Sequence, residues 1–142
     1  GGCSALSGRS ISDATFEATV MDRSRDVFVL FYQPSSAFCE LNGTVYGAFA
    51  TALQPTRSVI AAQMNVRLHK SPFVFDDDEL PVIMLFPAKD KRPLEFDTDL
   101  TYEALLRFAR ENGSHGNTLP SSEDQLQQRA SQAQASSHKG EL

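Results

Sequence analysis

Val27-Phe28-Val29-Leu30-Phe31-Tyr32 is an apolar run in which every residue but Leu30 is β-branched or aromatic, and it is bounded by Asp26 and Pro34. Such a run has no polar face to turn towards water. It predicts a strand buried on both faces, the condition of strands in a parallel sheet covered by helices. Ser58-Val59-Ile60-Ala61-Ala62-Gln63-Met64 and Pro81-Val82-Ile83-Met84-Leu85-Phe86 have the same character. Proline at the first position of a strand is tolerated, because the missing donor matters little there. Leu94-Glu95-Phe96, after a turn at Ala88 to Pro93, and Cys3 to Leu6 are expected as short edge strands.

Helical spacing fills the intervals. Ser12 is expected to cap a short helix in which Phe16 and Val20 share a face. After the turn Gln33-Pro34-Ser35, a longer helix is expected from near Ser36. Leu41, Val45, Phe49 and Leu53 recur in it every fourth residue, with Ala48 and Ala52 on the same side. Gly43 and Gly47 weaken this helix by up to about 1 kcal/mol each, which packing must offset. Thr101 caps a final helix carrying Tyr102, Leu105, Leu106 and Ala109 at i, i+3, i+4 and i+7. Strand–helix–strand with parallel strands requires a right-handed crossover. The fold class is therefore α/β, a central mixed β-sheet flanked by helices. Asp76-Asp77-Asp78-Glu79 lies in the loop from Asn65 to Leu80 and reads as solvated, since the calcium-loop ligand pattern is absent.

From Ser114 onward the chain has no Val, Ile, Met, Phe or Tyr, and Ser and Gln dominate. Such a segment buries too little surface to offset its ordering entropy. Residues 1–112 are expected to form one domain and 113–142 a disordered tail. The length of 142 residues fits this, and 41% hydrophobic content suffices for a core. A net charge of −5 argues against nucleic acid or an anionic membrane as partner. No apolar run approaches the roughly 18 residues of a membrane span. Cys3 and Cys39 are the only cysteines, with neither the count nor the spacing of a zinc site. No metal and no cofactor are expected. A Cys3–Cys39 disulfide would need Cα atoms within about 7 Å; the plainer reading is two separate thiols with Cys39 buried. Without an initiator Met or leader, the chain reads as a mature protein or an excised domain, which fits the C-terminal domain of a longer parent chain.

The segment Phe31-Tyr32-Gln33-Pro34-Ser35-Ser36-Ala37-Phe38-Cys39, closing a strand and opening a helix, resembles the active-site segment of the a-type domains of protein disulfide isomerases, Phe-Tyr-Ala-Pro-Trp-Cys-Gly-His-Cys-Lys. Gln63-Met64-Asn65, Ser71-Pro72-Phe73 and Leu80-Pro81-Val82 fall at the spacing of later family segments, the last being the cis-proline. The resemblance covers roughly residues 3 to 112 and implies a thioredoxin-like fold. It also implies a degenerate site. The nucleophilic Cys is Ser36, the preceding aromatic is Ser35, the His is Phe38 and the Lys after the second Cys is Glu40. The buried strand Glu is Leu30, the modulating Arg is Leu100 and the helix-kinking Pro is Thr44. Exchange needs an attacking thiolate and, for oxidation, a partner thiol; only Cys39 remains. Ser36, with no evident His base, reads as a helix cap rather than a catalytic serine.

The resemblance implies a redox-inactive or weakly active domain that binds unfolded or partner polypeptides, with Ser35, Phe38, Leu80 and Pro81 as its surface. In the family, the residue before the cis-proline offers backbone groups to an extended peptide. The alternatives are a monothiol isomerase or client trap using Cys39, and a module that only holds other domains of a parent chain. The end of the chain, Lys139-Gly140-Glu141-Leu142, resembles the Lys-Asp-Glu-Leu retrieval signal. It implies a retrieval receptor as partner and residence in the endoplasmic reticulum lumen. The sequons Asn42-Gly43-Thr44 and Asn112-Gly113-Ser114 suit that compartment. Asn112 is the better acceptor, since Asn42 is expected within a helix.

Overall fold

The apolar run becomes the centre of the sheet. A computed structural model describes residues 9–34 and 43–140, the side chains of 43, 44 and 134–140 excepted. Its strands are β1 (Arg9–Ser10), β2 (Asp26–Tyr32), β3 (Val59–Asn65), β4 (Val82–Phe86) and β5 (Leu94–Phe96). Its helices are α1 (Phe16–Val20), α2 (Gly43–Leu53), α3 (Tyr102–Asn112) and α4 (Glu123–Gly140). The sheet order is β1-β3-β2-β4-β5. β1 and β2 flank β3 in parallel, whereas β2–β4 and β4–β5 are antiparallel. The expected mixed sheet with flanking helices is therefore present. The strand predicted at Cys3 to Leu6 lies outside the described residues, and β1 begins later.

All of β2 is buried, as an uninterrupted apolar run requires. Its side chains alternate between two cores. Phe28, Leu30 and Tyr32 join Tyr46, Phe49 and Leu53 of α2 and Leu105 and Leu106 of α3. Val27, Val29 and Phe31 join Phe16 and Val20 of α1, with Phe73 and Phe75 packed against them. Phe31 is the hub of the second core, its ring centroid 5.1 Å from Phe75 and 5.7 Å from Phe73. Ser12 does not start α1: its carbonyl and amide bond Thr15 in a turn, and α1 begins at Phe16. Thr101 caps α3 as expected, its Oγ1 accepting from the Ala104 N–H at 3.0 Å.

Two side-chain assignments on α2 change. Ala48 is exposed, and Tyr46 is fully buried in its place. A strict four-residue repeat drifts around a helix of 3.6 residues per turn, so the buried stripe moves to Tyr46, Phe49, Ala50 and Leu53.

The expectation of a disordered tail over 113–142 is corrected for the described residues 113–140. Gly116–Thr118 forms a short 3-10 turn, and α4 follows it, packed on α2 and α3. Few apolar residues are needed for this. Leu119, Leu126 and Ala130 are buried, and Leu119 and Leu126 belong to the α2–α3 core. Arg129 Nη1 donates to the Thr118 carbonyl at 2.8 Å, tying the helix back to the turn. Tertiary packing of one apolar stripe supplies what the Ser/Gln composition does not.

Candidate functional site

The site expected from the sequence lies where β2 and β3 end and β4 begins. Phe31 pairs with Val82 in the antiparallel register, so Tyr32 and Pro81 come next to each other. Tyr32 also pairs with Asn65, and its carbonyl accepts from the Val66 N–H at 2.9 Å. Gln33, Pro34, the loop after β3 and the Leu80–Pro81 peptide thus share one end of the sheet. That peptide is cis.

Ser35, Ser36, Phe38, Cys39 and Glu40 lie outside the described residues, as do Cys3, Asn42, Glu141 and Leu142. Lys139 and Gly140 are the last residues of α4, with their side chains outside the description. Of the expected surface residues, Leu80 and Pro81 are placed. Pro81 is exposed, and Leu80 is half-buried against the Phe31 cluster. The Leu80 backbone is extended, with φ −77° and ψ 144°. Among the described residues, no backbone hydrogen bond engages its N–H or carbonyl. In the loop between β3 and β4, Val74 is 94% exposed and Leu68 74%. The acidic run sits just before Leu80 as an exposed 3-10 turn, Asp77–Glu79, with a reciprocal capping box between Asp76 and Glu79.

Beneath this end the chemistry is apolar. Leu30 is completely buried, and Leu100 packs against the same core. Leu30 pairs in register with Gln63, so the two side chains share a face. Gln63 is 4% exposed. Its Nε2 reaches Ser10 Oγ at 3.3 Å, and its Oε1 has no hydrogen-bond partner among the described residues. Tyr46 enters from α2 and donates to the Ala62 carbonyl at 2.6 Å. Burial pushes the Tyr46 hydroxyl well above the ordinary phenol range, with the Leu30 backbone partly offsetting it. Among the described residues, these two buried polar groups, an amide and a phenol, are neutral.

The opposite end of β2 holds a group that sequence reading passes over. Asp26 is 1% exposed. Its Oδ1 accepts from the Ala88 N–H at 2.8 Å and the Ser114 N–H at 2.9 Å, and its Oδ2 from the His115 N–H at 2.7 Å. Gly113 fits only as glycine, because a Cβ there would collide with Asp26 Oδ2 and stand 2.8 Å from the Ala109 carbonyl. Lys91 Nζ lies near, donating to the Arg25 carbonyl at 2.8 Å and the Phe86 carbonyl at 3.2 Å. Burial lowers the Lys91 pKa, and the charges of Asp26 and Asp22 oppose that. The only sequence signal for this clamp was a lone carboxylate adjoining a fully apolar strand.

Among the described residues, no group of three or more His, Cys, Asp or Glu is placed to hold a metal ion. No described helix is long and apolar enough to cross a membrane.

No family model matches the chain. Its curated relatives are protein disulfide-isomerases. A protein disulfide-isomerase of Arthroderma benhamiae is 32% identical over 109 residues, covering 71% of this chain and 20% of the relative. A probable protein disulfide-isomerase A4 of Caenorhabditis elegans is 28% identical, covering 74% of this chain and 17% of its own length. Human protein disulfide-isomerase A4 is also 28% identical, with 70% and 16% covered. Among solved structures, the J-Trx1 fragment of ERdj5 superimposes with a TM-score of 0.55 at 18% identity, over 72% of this chain and 50% of that one. A crystal form of ERdj5 matches with the same score over 14% of its length. The fold is thus thioredoxin-like, and by sequence the chain is a modest-identity homologue of the protein disulfide-isomerases, spanning about a fifth of the length of the relatives it matches.

Proposed function

We propose that this chain is a polypeptide-binding domain of the disulfide-isomerase kind that has given up dithiol exchange and works in the endoplasmic reticulum lumen. The observation that carries the reading is the extended backbone at Leu80, which no described residue engages by a backbone hydrogen bond, beside exposed Pro81. Such an edge accepts an extended peptide by main-chain hydrogen bonds, with neighbouring apolar side chains supplying contact. Val74 and Leu68, exposed in the loop that precedes Leu80, are the apolar side chains this reading assigns to that contact. Binding of this kind needs no cysteine.

Two observations support the loss of exchange. Ser36 stands where the family's attacking thiolate would be, and a hydroxyl neither ionises near neutral pH nor forms a disulfide. Leu30 fills the family's proton-relay position and is sealed within the core. Lys139-Gly140-Glu141-Leu142 supports retrieval by a receptor that reads Lys-Asp-Glu-Leu-type ends. Ser35 and Phe38 complete the proposed surface.

The test pairs binding with chemistry. An unfolded client peptide titrated against the chain should bind, and Leu80→Lys should weaken the affinity several-fold. Insulin reduction and refolding of scrambled ribonuclease should be near background in both wild type and Cys39→Ala. Exchange activity that disappears in Cys39→Ala would instead establish a monothiol enzyme. Failure to bind any unfolded client would leave a module that only supports other domains.

A further inference from the structure

We propose that Asn112 carries an N-linked glycan whose first sugars rest in the hollow between the end of α3 and the β4–β5 turn. The proposal rests on the lumenal residence argued above. Asn112 is the last residue of α3 and is exposed. The backbone leaves the helix at Gly113, with φ −79° and ψ 149°, so the sequon spans a helix-to-loop junction on the surface. Asn112 Nδ2 donates to the Phe108 carbonyl at 3.1 Å. That bond uses one of its two hydrogens and leaves the other replaceable. Beside it lies a cavity of about 460 Å³ lined by Pro87, Leu94, Asp90, Arg92 and the sequon itself. This falls within the range of small-ligand clefts, about 300–1,000 Å³. Pro87 and Leu94 offer apolar surface to a sugar face, while the exposed Asp90–Arg92 pair, 2.8 Å apart, offers hydrogen-bonding groups at the rim.

The fold also bears on when the sugar is added. In the fold, the Ser114 N–H is held by Asp26, and its Oγ accepts from the Lys89 N–H at 3.0 Å. One acceptor site of the hydroxyl a transferase must read is thus taken once the Asp26 clamp closes, which favours transfer before folding. Asn112 Nδ2 then displaces the lipid pyrophosphate from C1 of a lipid-linked oligosaccharide. The N–C1 bond forms, the C1–O bond breaks with its electron pair leaving on the pyrophosphate, and one Nδ2 proton passes to a base of the transferase. Gly113 and Ser114 have structural reasons to be what they are, through Asp26 and Lys89. Asn112 has only its bond within the helix, which Gln or Ser could forgo.

The experiment expresses the full chain behind a secretory signal peptide in cultured animal cells, with a control sequon placed ahead of Gly1. The wild type should show two glycan steps sensitive to peptide N-glycosidase, one of them lost in Asn112→Gln and in Ser114→Ala but kept in Asn42→Gln. Asp26→Ala, which delays closure, should raise occupancy. A modified control with no step assignable to Asn112 overturns the proposal while leaving the lumenal reading intact. The lumenal reading is scored separately, by secretion: equal release of wild type and of a chain lacking Lys139–Leu142 sinks it without touching the glycan result. Seating is read on the native glycoprotein. Nuclear Overhauser contacts from the proximal N-acetyl methyl to Pro87 and Leu94 are expected, with glycan release several-fold slower than in an Arg92→Ala, Leu94→Ala variant. Equal release rates would place the glycan outside the hollow.

Discussion

The two ends of β2 answer one problem in opposite ways. Each is buried under helices, and each has a polar group to accommodate. At the Asp26 end a carboxylate is retained inside the protein and held by the N–H groups of Ala88, Ser114 and His115. At the Leu30 end the position that carries a Glu in the resembled family is aliphatic, and among the described residues the Gln63 amide and the Tyr46 phenol are buried polar groups close to it. A buried carboxylate is tolerable where several donors satisfy it and costly where they do not. The difference separates a buried carboxylate satisfied by the fold from a buried position with no carboxylate to satisfy. The first is held in place by three backbone N–H groups of this structure; at the second position the side chain is an apolar part of the core.

The sharpest way to break this comparison is at Asp26. Asp26→Ala strands three backbone donors in the interior and should cost about 3–5 kcal/mol, measured by denaturant unfolding. Gly113→Ala should act in the same direction, since the new Cβ meets the carboxylate. A loss under about 1 kcal/mol for Asp26→Ala would mean the clamp is decorative. The effect should reach α4, because the clamp fixes the loop that leads into it.

Next in size is Leu126→Ala. Leu126 is fully buried on α4 against the core of α2 and α3. Its truncation should cost about 3 kcal/mol through lost burial and the cavity left behind. Amide exchange in α2 should rise along with it. If Leu126→Ala unfolds at the wild-type denaturant midpoint, α4 contributes nothing to the domain.

Leu30→Glu tests the other end directly. Introducing a carboxyl with no donor from the described residues should cost about 2–3 kcal/mol even when it stays protonated. A neutral outcome would show that the core still accommodates a relay carboxylate, and the contrast between the two ends would fail.

The sequence told these two ends apart unevenly. The Leu30 end was legible because apolar residues announce their own burial: six of them in a row leave no solvent face, and the Phe31-Tyr32 and Leu80-Pro81 segments bracket the site. The Asp26 end was not legible. Its partners lie 62, 88 and 89 residues away, and they are backbone amides, which leave no trace in residue identity. The tail misled for a related reason. Its composition argues for disorder, yet stability there depends on where Leu119, Leu126 and Ala130 land. Tyr46 was overlooked because its neighbours formed a tidy four-residue repeat that the true helical period does not follow.

The smallest expected effect concerns that tyrosine. Tyr46→Phe removes the bond to the Ala62 carbonyl and should cost about 1 kcal/mol at neutral pH. Its signature lies at alkaline pH. Burial raises the Tyr46 hydroxyl well above its ordinary 10.0, and Tyr102 is pushed up to about 12, by burial first and by the Glu123 charge second. A raised phenol pKa means the unfolded chain loses its proton first. Stability from these groups is therefore fully present below pH 10 and drains away as pH rises from there towards and beyond 12. Urea midpoints measured from pH 8 upward should fall steeply past pH 10 in the wild type and more gently in Tyr46→Phe. Tyr102→Phe should change the slope less, because the Tyr102 ring is only half-buried whereas Tyr46 is fully enclosed, and burial raises the Tyr46 hydroxyl further. Parallel curves for wild type and Tyr46→Phe would mean that the phenol ionises within the fold at little cost, and that the Leu30 end of β2 admits charge after all.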